Sequence, residues 1–295
     1  MFAGLINAIV GIFRKLRPAL VVIGALTLFL ALSMGSYALY DYFVKGQVQG
    51  DFSLYSDGQA DAGGSSADCN VLGINLHGEM LTYIPKGNSD SLLDNQDVVA
   101  SEDVMARIDQ AEQDDTIKAI ILEVDSGGGS PVAGEEIAQA LKQAKKPTVG
   151  LIRDIGASSA YWAVTGTQRI FASKNSSVGS IGVTSSFAEE ISKDSKFIQL
   201  STGKFKDSGN PDKPFTEEEK VLYMRDVNII FQNFIDVVAQ NRGLSKEKVR
   251  ALADGSTVLG DSAKALGLID EIGNFYDVKK YLEDKLGEPV TVCWS

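Results

Sequence analysis

From about residue 70 to residue 173, short apolar runs alternate with segments that have the spacing of amphipathic helices. The apolar, β-branched run IKAIILEV favours a buried strand, and TVGLI and RIFAS are predicted to be strands as well. The longer run NVLGINLHGEMLTYIP alternates like a pair of strands. SEDVMARIDQAEQD has helical spacing, as does PVAGEEIAQALKQ, with Ser130 as its N-cap and Pro131 at the first helical position. The alternation predicts an α/β domain with mostly parallel strand pairing.

The pattern after Phe215 is helical. Thr216 and Glu219 have the spacing of a capping box, and the helix that follows is predicted to end at Gly243 after roughly seven turns. The segments SKEKVRALADG and DVKKYLEDKLG predict two shorter helices. The C-terminal part of the domain is therefore predicted to be helical.

The N-terminal region has a different pattern. Residues 18–40 form a run of 23 residues without a charge, and a helix rising about 1.5 Å per residue crosses a hydrocarbon core of about 30 Å at that length. Arg14, Lys15 and Arg17 precede the run, so the positive-inside rule places residues 1–17 in the cytoplasm. We predict a retained single-pass anchor in the plasma (inner) membrane, with the folded domain on the extracytoplasmic side. The alternative is a cleaved signal peptide, whose apolar region is usually only about 7 to 15 residues long.

Composition narrows the possible organisation and partners. Residues 41–68 are predicted to be a juxtamembrane linker, because most of this stretch is rich in Gly, Ser and Asp, and the folded domain is predicted to span residues 69–295. The net charge of −11 argues against nucleic-acid binding, which needs clustered Lys and Arg. Cys69 and Cys293 lie outside any C-x-x-C spacing, so no metal site is predicted. Whether they form a disulfide stays open.

The stretch RDIGASSAYWAVTG concentrates small residues at a turn between a predicted strand and a predicted helix. A side chain at Ser158 would project at the carboxyl edge of the sheet, where a nucleophile can stand; the alternative is a serine that only caps the helix. A serine nucleophile needs a base and oxyanion donors. We expect His77, the single histidine, to be a surface or edge residue. A desolvated lysine can replace histidine as the base, and the loop STGKFKDSGNP offers Lys204 and Lys206.

Four segments in one order resemble the signal peptide peptidase A family of membrane-anchored Ser-Lys peptidases. They are VDSGGGSPVAGEEIAQAL, GASSAYWAV, ASKNSSVGSIGV and STGKFKDSGNPDKPFTEEE, and the resemblance covers about residues 70 to 280. It implies a Clp protease/crotonase-like fold. It also implies that Ser158 is the nucleophile, that Lys206 is the general base, and that Ser180 helps to hold this lysine.

The resemblance implies an oxyanion site as well. The main-chain N–H groups of Gly129 and Ser159 would bind the oxyanion, with Gly128 as a further candidate. The chain departs from the family in two places: the family commonly has N-S-P-G-G where this chain has D-S-G-G-G at residues 125–129, and G-G where it has Ser159 and Ala160. Both changes leave the main-chain donors in place, so they bear on substrate preference more than on the type of reaction.

Carried over to function, the resemblance implies a membrane-anchored serine endopeptidase. Its substrates would be apolar peptides such as remnant signal peptides, hydrolysed through an acyl-enzyme without cofactor or metal. Family members form homo-oligomers with sites between subunits, which allows Ser158 and Lys206 to come from different chains. Two alternatives stay open: an inactive membrane scaffold of the same fold, and a crotonase-type acyl-CoA lyase or hydratase. The predicted extracytoplasmic placement disfavours the latter, because acyl-CoA substrates are cytoplasmic.

Overall fold

The computed structural model describes residues 69–84, 97–190 and 198–295. The predicted cytoplasmic segment, transmembrane helix and linker, residues 1–68, lie outside these ranges. Within the described ranges, no helix is both long enough and apolar enough to cross a membrane.

Strands and helices alternate along the described part of the chain. The strands are β1 (Val71–Leu81), β2 (Val98–Ala100), β3 (Ala119–Gly129), β4 (Thr148–Ala157), β5 (Arg169–Ala172), β6 (Ser177–Gly179), β7 (Thr257–Leu259), β8 (Glu271–Ile272) and β9 (Val292–Trp294). The helices are α1 (Ser101–Gln113), α2 (Pro131–Gln143), α3 (Ser159–Val164), α4 (Glu217–Arg242), α5 (Lys246–Leu252), α6 (Gly260–Leu266) and α7 (Phe275–Leu286).

The strands form one sheet whose pairs are almost all parallel. The strand order is β2-β1-β3-β4-β5-β8, with β9 also on β1 and with β6 between β4 and β7. The pair of β6 and β7 is antiparallel, and the other pairs between described strands are parallel. This confirms the prediction of a mixed α/β domain with a mostly parallel sheet. Because parallel strands need crossover connections, helices lie between them in sequence and cover the sheet.

Each face of the sheet has its own core. Successive residues of a strand point to opposite faces, so that Leu122 of β3 belongs to the larger core with residues of α1 to α4, and the adjacent Ile121 belongs to the smaller one. In the smaller core Val278 and Leu282 of α7 are buried with residues of β3 and β4. The central strands are therefore apolar on both faces, which explains their unbroken β-branched runs.

The prediction that residues 70–85 form a pair of strands is wrong, because residues 71–81 form the single strand β1. The strand pairs with β3 along most of its length, and the register shifts between His77 and Glu79. Gly78 at this shift has φ +77, and a side chain there would meet the Asp97 carbonyl oxygen at 1.9 Å. The glycine thus permits a bulge in β1 and close approach to the chain before β2.

Cys69 and Cys293 form a disulfide, which answers the question that the sequence left open. The bond joins residues 224 positions apart. It lies beside the parallel pairing of Val71 with Val292 at the start of β1. It therefore fastens β9 to the amino end of β1.

Candidate active site

Ser158 occupies a strained turn between β4 and α3. Its backbone has φ 54 and ψ −129, a conformation that costs a non-glycine residue on the order of 1–3 kcal/mol. Two hydrogen bonds hold it: the Ser158 N–H donates to the Gly179 carbonyl at 2.8 Å, and the Trp162 N–H donates to the Ser158 carbonyl at 3.0 Å. The side chain makes no capping hydrogen bond to α3. The hydroxyl is thus left available, contrary to the capping alternative.

Close packing explains the small residues around this turn. A side chain at Gly134 of α2 would come within 2.6 Å of the Ser159 carbonyl oxygen. Every residue of α3 is buried, and Ala160 and Tyr161 are completely so. A bulkier segment would push α3 away from α2 and move Ser158. The same turn therefore allows α3 to pack closely on α2 and leaves one hydroxyl exposed.

The glycine segment at the end of β3 lies directly against Ser158. A Cβ at Gly128 would stand 2.8 Å from the Ser158 Cβ and 3.0 Å from the Ser159 nitrogen. The Gly128 N–H already donates to the Ser126 hydroxyl at 3.0 Å, and this hydroxyl donates to the Gly78 carbonyl at 2.5 Å. Gly128 is therefore engaged elsewhere and is the weakest of the three predicted oxyanion donors.

Gly129 and Ser159 remain as candidate donors beside the Ser158 hydroxyl. Ser159 is the first residue of α3, and the first N–H groups of a helix have no acceptor within it. The N–H of Ser130, the residue after β3, donates to the Met80 carbonyl at 2.8 Å. Because neighbouring N–H groups of an extended chain point to opposite sides, the Gly129 N–H points away from β1. Both residues line the same cleft as Ser158.

Ser180 shares the unusual backbone of Ser158. In the described part of the chain, these two serines are the non-glycine residues with positive φ, and Ser180 has φ 50. The Ser180 N–H donates to the Ser256 carbonyl at 2.9 Å, and its hydroxyl donates to the Gly255 carbonyl at 2.8 Å. Ser180 follows β6, whose Gly179 holds Ser158. Strained residues cluster at functional sites, and here two of them line one cleft.

The cleft has a volume of about 850 Å³ and a lining of two kinds. It combines serines and glycines with a set of apolar side chains from α3 and α4, which we call the apolar wall. Trp162 stacks on Phe234 with ring centroids 4.8 Å apart. The wall is completed by Tyr223, Met224, Val227, Ile230 and Phe231. The sequence alone did not place these α4 residues at the site, and only the spacing of apolar residues on a long helix could have indicated them.

Among the described residues, no basic side chain lines the cleft beside Ser158. Among the described residues that line the cleft there is no Lys, Arg or His, and its carboxylates are Asp226 and Asp254. Lys206 is exposed in the turns that precede α4 and does not line the cleft. Its rival Lys204 forms an ion pair with Glu218 at 2.8 Å. The assignment of Lys206 as the base therefore stays a prediction.

His77 lies apart from this cleft, on β1. Its side chain is 45% exposed, and its Nε2 lies 3.3 Å from a carboxylate oxygen of Glu123. Arg153 donates to the same Glu123 oxygen at 3.1 Å. Although burial opposes it, hydrogen bonding from His77 and the charge of Arg153 lower the pKa of Glu123. Within the described ranges, no group of His, Cys, Asp and Glu has the arrangement of a metal site.

An ion-pair network connects the Lys206 loop to the start of α4. The Lys213 ammonium donates to Glu219 at 2.6 Å and lies 4.0 Å from Asp207, the residue after Lys206. Glu219 is also the partner of Thr216 in the capping box that the sequence predicted. The hydrogen bond from Lys213 and then the backbone N–H of Thr216 lower the pKa of Glu219 to about 2.

This network predicts acid-sensitive stability. The Glu219 carboxyl has a folded-state pKa of about 2 against an ordinary value of 4.5, so its stabilising contribution is complete above about pH 4.5 and disappears as the pH falls to about 2. We expect the thermal unfolding midpoint of the wild type to fall more steeply over this interval than that of Glu219→Gln. Glu217→Gln, at an exposed position on the same turn, is the matched control and should follow the wild type. Equal slopes for all three proteins would contradict the assignment.

Comparison with known proteins places these features in a family context. Residues 140–287 match the sequence model of the family described as "Peptidase family S49". The chain is 37% identical over 182 residues to a Methanocaldococcus jannaschii protein provisionally named a protease, covering 60% of this chain and 58% of that protein. It is 29% identical over 194 residues to an Enterococcus faecium protein provisionally named signal peptide peptidase SppA, covering 63% and 54%. The match thus spans little more than half the length of these relatives.

A solved structure has a partly similar fold. The chain superposes on a ClpP1 mutant from Listeria monocytogenes with a TM-score of 0.46 and 15% sequence identity, covering 70% of this chain and 92% of that one.

Proposed function

Because the chain belongs to peptidase family S49, as the resemblance to signal peptide peptidase A predicted, we propose that it is a serine peptidase that uses Ser158 as nucleophile and Lys206 as general base. The observation that carries the proposal is the turn at Ser158. There a strained serine with an uncommitted hydroxyl lies against a glycine segment and lines an open cleft.

The reaction follows from these positions. The Ser158 hydroxyl attacks a peptide carbonyl while the neutral amine of Lys206 accepts its proton. The N–H groups of Gly129 and Ser159 stabilise the oxyanion of the tetrahedral intermediate. The lysine then protonates the departing amine, and an acyl-enzyme forms. Water, deprotonated by the same lysine, attacks the ester and releases the second product.

The lysine in this proposal comes from a neighbouring subunit. Lys206 is exposed outside the cleft of its own chain, which has no basic residue among its described lining. Large apolar side chains stay exposed on the segments around Lys206, namely Ile198, Leu200, Phe205, Val221, Met224 and Ile229. Exposed apolar surface of this kind marks protein–protein contact. A second copy that covers it would carry its own Lys206 toward a neighbouring cleft and desolvate it.

Ser180 is suited to hold the incoming lysine. Its hydroxyl proton is engaged by the Gly255 carbonyl, which leaves the oxygen lone pairs to accept a hydrogen bond. The lysine amine can donate a hydrogen bond to this oxygen, because the Ser180 proton points to the Gly255 carbonyl and does not compete for the same position. The hydroxyl therefore orients the amine without taking part in the proton transfer itself.

The substrates we propose are apolar peptides, including remnant signal peptides. The aromatic and aliphatic wall from α3 and α4 lines the same cleft as Ser158, and burying such surface favours apolar side chains at about 25 cal/mol per Å². The disulfide between Cys69 and Cys293 supports the proposed extracytoplasmic location, because such bonds persist in oxidising compartments. It is also consistent with a retained anchor at residues 18–40.

An inactive scaffold is the second candidate, and it is favoured by the lack of a Lys, Arg or His among the described residues that line the cleft. A serine-reactive acylating probe separates the two functions. We expect mass spectrometry to find a covalent adduct on Ser158 of the assembled wild-type protein and none in Ser158→Ala. Ser185→Ala, which alters another serine of the same cleft, should keep the adduct. Absence of an adduct on the assembled wild type would favour the scaffold.

A further inference from the structure

Three aromatic side chains form an exposed patch at the junction of β9 and α7. We call Phe275, Tyr276 and Trp294 the aromatic patch. The ring centroid of Phe275 lies 5.6 Å from that of Trp294 and 6.2 Å from that of Tyr276. Tyr276 is 80% exposed and Trp294 is 37% exposed. The patch therefore presents two amphipathic rings to its surroundings over a half-buried phenylalanine.

The tryptophan is held in place by the fold. Residues 292–294 pair with residues 71–73 of β1, and the backbone N–H of Ser295 donates to the Gly73 carbonyl at 3.0 Å. The Trp294 ring covers Gly73, where a Cβ would come within 2.3 Å of it. The ring thus rests on bare backbone and is still partly exposed. Ordering a large aromatic at the surface in this way needs an explanation beyond core packing.

The patch lies where the chain from the predicted anchor joins the domain. Cys69, the first described residue, is bonded to Cys293, which precedes Trp294. The uncharged run of residues 18–40 is followed by 28 residues, 41–68, before this point. A linker of the predicted kind and of this length would have an end-to-end distance of about 30 Å. That length keeps the domain near a bilayer but does not orient it.

We propose that the aromatic patch is the surface on which the domain rests on the lipid headgroups of its own membrane. Tyr and Trp are enriched at this level of a bilayer, because the ring is apolar while the O–H or N–H stays hydrated. The inference rests on the anchoring proposed above. It adds an orientation: the amino end of β1 faces the lipid. Trp294 covers Gly73, whereas Ser158 lies against Gly128, which pairs with Glu79 six residues beyond Gly73 on β1. The cleft is therefore about 20 Å from the patch along the strands.

Fluorescence of the full chain in nanodiscs tests the contact. The chain contains two tryptophans, Trp162 and Trp294, and Trp162 is only 3% exposed. In nanodiscs of phosphatidylcholine with brominated acyl chains, we expect up to about half of the tryptophan emission to be quenched relative to unbrominated lipid. The quenchable part should disappear in Trp294→Phe and shrink in Tyr276→Glu, which alters a highly exposed position.

A reporter at the opposite end of β1 controls for random tumbling. Tyr83 is exposed beyond the carboxyl end of this strand, so Tyr83→Trp in the Trp294→Phe background should not be quenched. If both reporters are quenched alike, or if only position 83 is, the proposed orientation is wrong. If Trp294 stays unquenched in chains that co-purify with nanodiscs, the patch contacts something else, such as a second copy. If the chain does not enter nanodiscs, the anchoring fails and the patch proposal fails with it.

Discussion

Ser158→Ala is expected to lower kcat for the hydrolysis of apolar peptides by about 10⁴- to 10⁶-fold, and Lys206→Ala to lower it comparably. The residues of a catalytic unit act together, so the loss of either partner removes most of the rate enhancement that the pair provides. Lys204→Ala is the matched control, because Lys204 lies two residues away and is already paired with Glu218. It should keep activity near that of the wild type. The measurement is steady-state hydrolysis of a fluorogenic apolar peptide.

Mixing the two inactive variants tests where the lysine comes from. If Lys206 acts on the Ser158 of a neighbour, oligomers that combine Ser158→Ala with Lys206→Ala chains regain up to about a quarter of wild-type activity, since random mixing restores that share of heterologous sites. The mixture must be assembled from unfolded or dissociated chains so that subunits exchange. A mixture that forms mixed oligomers but stays inactive would contradict the shared site. Full activity of either variant alone would contradict the assignment of Ser158 and Lys206.

Gly128→Ala is expected to lower kcat by about 10²- to 10³-fold, the loss seen when an oxyanion donor is displaced. Gly128 has φ +106, and its new Cβ would stand 2.8 Å from the Ser158 Cβ and 3.0 Å from the Ser159 nitrogen. The substitution therefore moves both the nucleophile and a donor of the oxyanion site, although the Gly128 N–H itself is engaged by Ser126. Steady-state kinetics of the purified variant measure the effect.

Gly127→Ala is the control for this substitution. Gly127 is exposed, and a Cβ there meets no atom within 4 Å. Although Gly127 lines the cleft, the added methyl group displaces no neighbour, so kcat should stay close to that of the wild type. Thermal unfolding of both variants separates a displaced site from a destabilised fold. If Gly128→Ala is as active as Gly127→Ala, the glycine segment does not shape the oxyanion site.

Much of the fold could be predicted from local pattern. The runs that predicted β3, β4 and β5 form strands, and the capping box of Thr216 and Glu219 begins α4 as expected. Gly243 ends α4 in the left-handed conformation. These features depend on interactions within a few residues, namely hydrogen bonds of the first and last helical turns and the burial of a continuous apolar run. A single sequence contains all the information they need.

Features that join distant parts of the chain were missed or left open. The alternation in β1 did not reveal that it is one strand, because both of its edges are paired with segments far away in sequence. The pairing of β9 with β1 and the disulfide between Cys69 and Cys293 both join residues about 220 positions apart. No local pattern specifies such a pairing.

The candidate active site also has features that the sequence predicted and features that it did not. The small residues at the turn and the resemblance pointed to Ser158 from sequence, and the turn has the strained geometry that an exposed serine needs. The sequence did not predict that Ser180 would share this strain, that Gly128 would be engaged by Ser126, or that α4 would supply the apolar wall.

The sequence by itself determined the main helices, the central strands β3, β4 and β5, the caps of α2 and α4 and the family, since short-range backbone preferences and ordered motifs specify them. Only the tertiary structure decided which serines and amide groups share one cleft, and that Lys206 stands outside the cleft of its own chain. The reason is that strand register and the packing of α4 on α3 position these groups, and both result from burial of apolar surface across the whole domain.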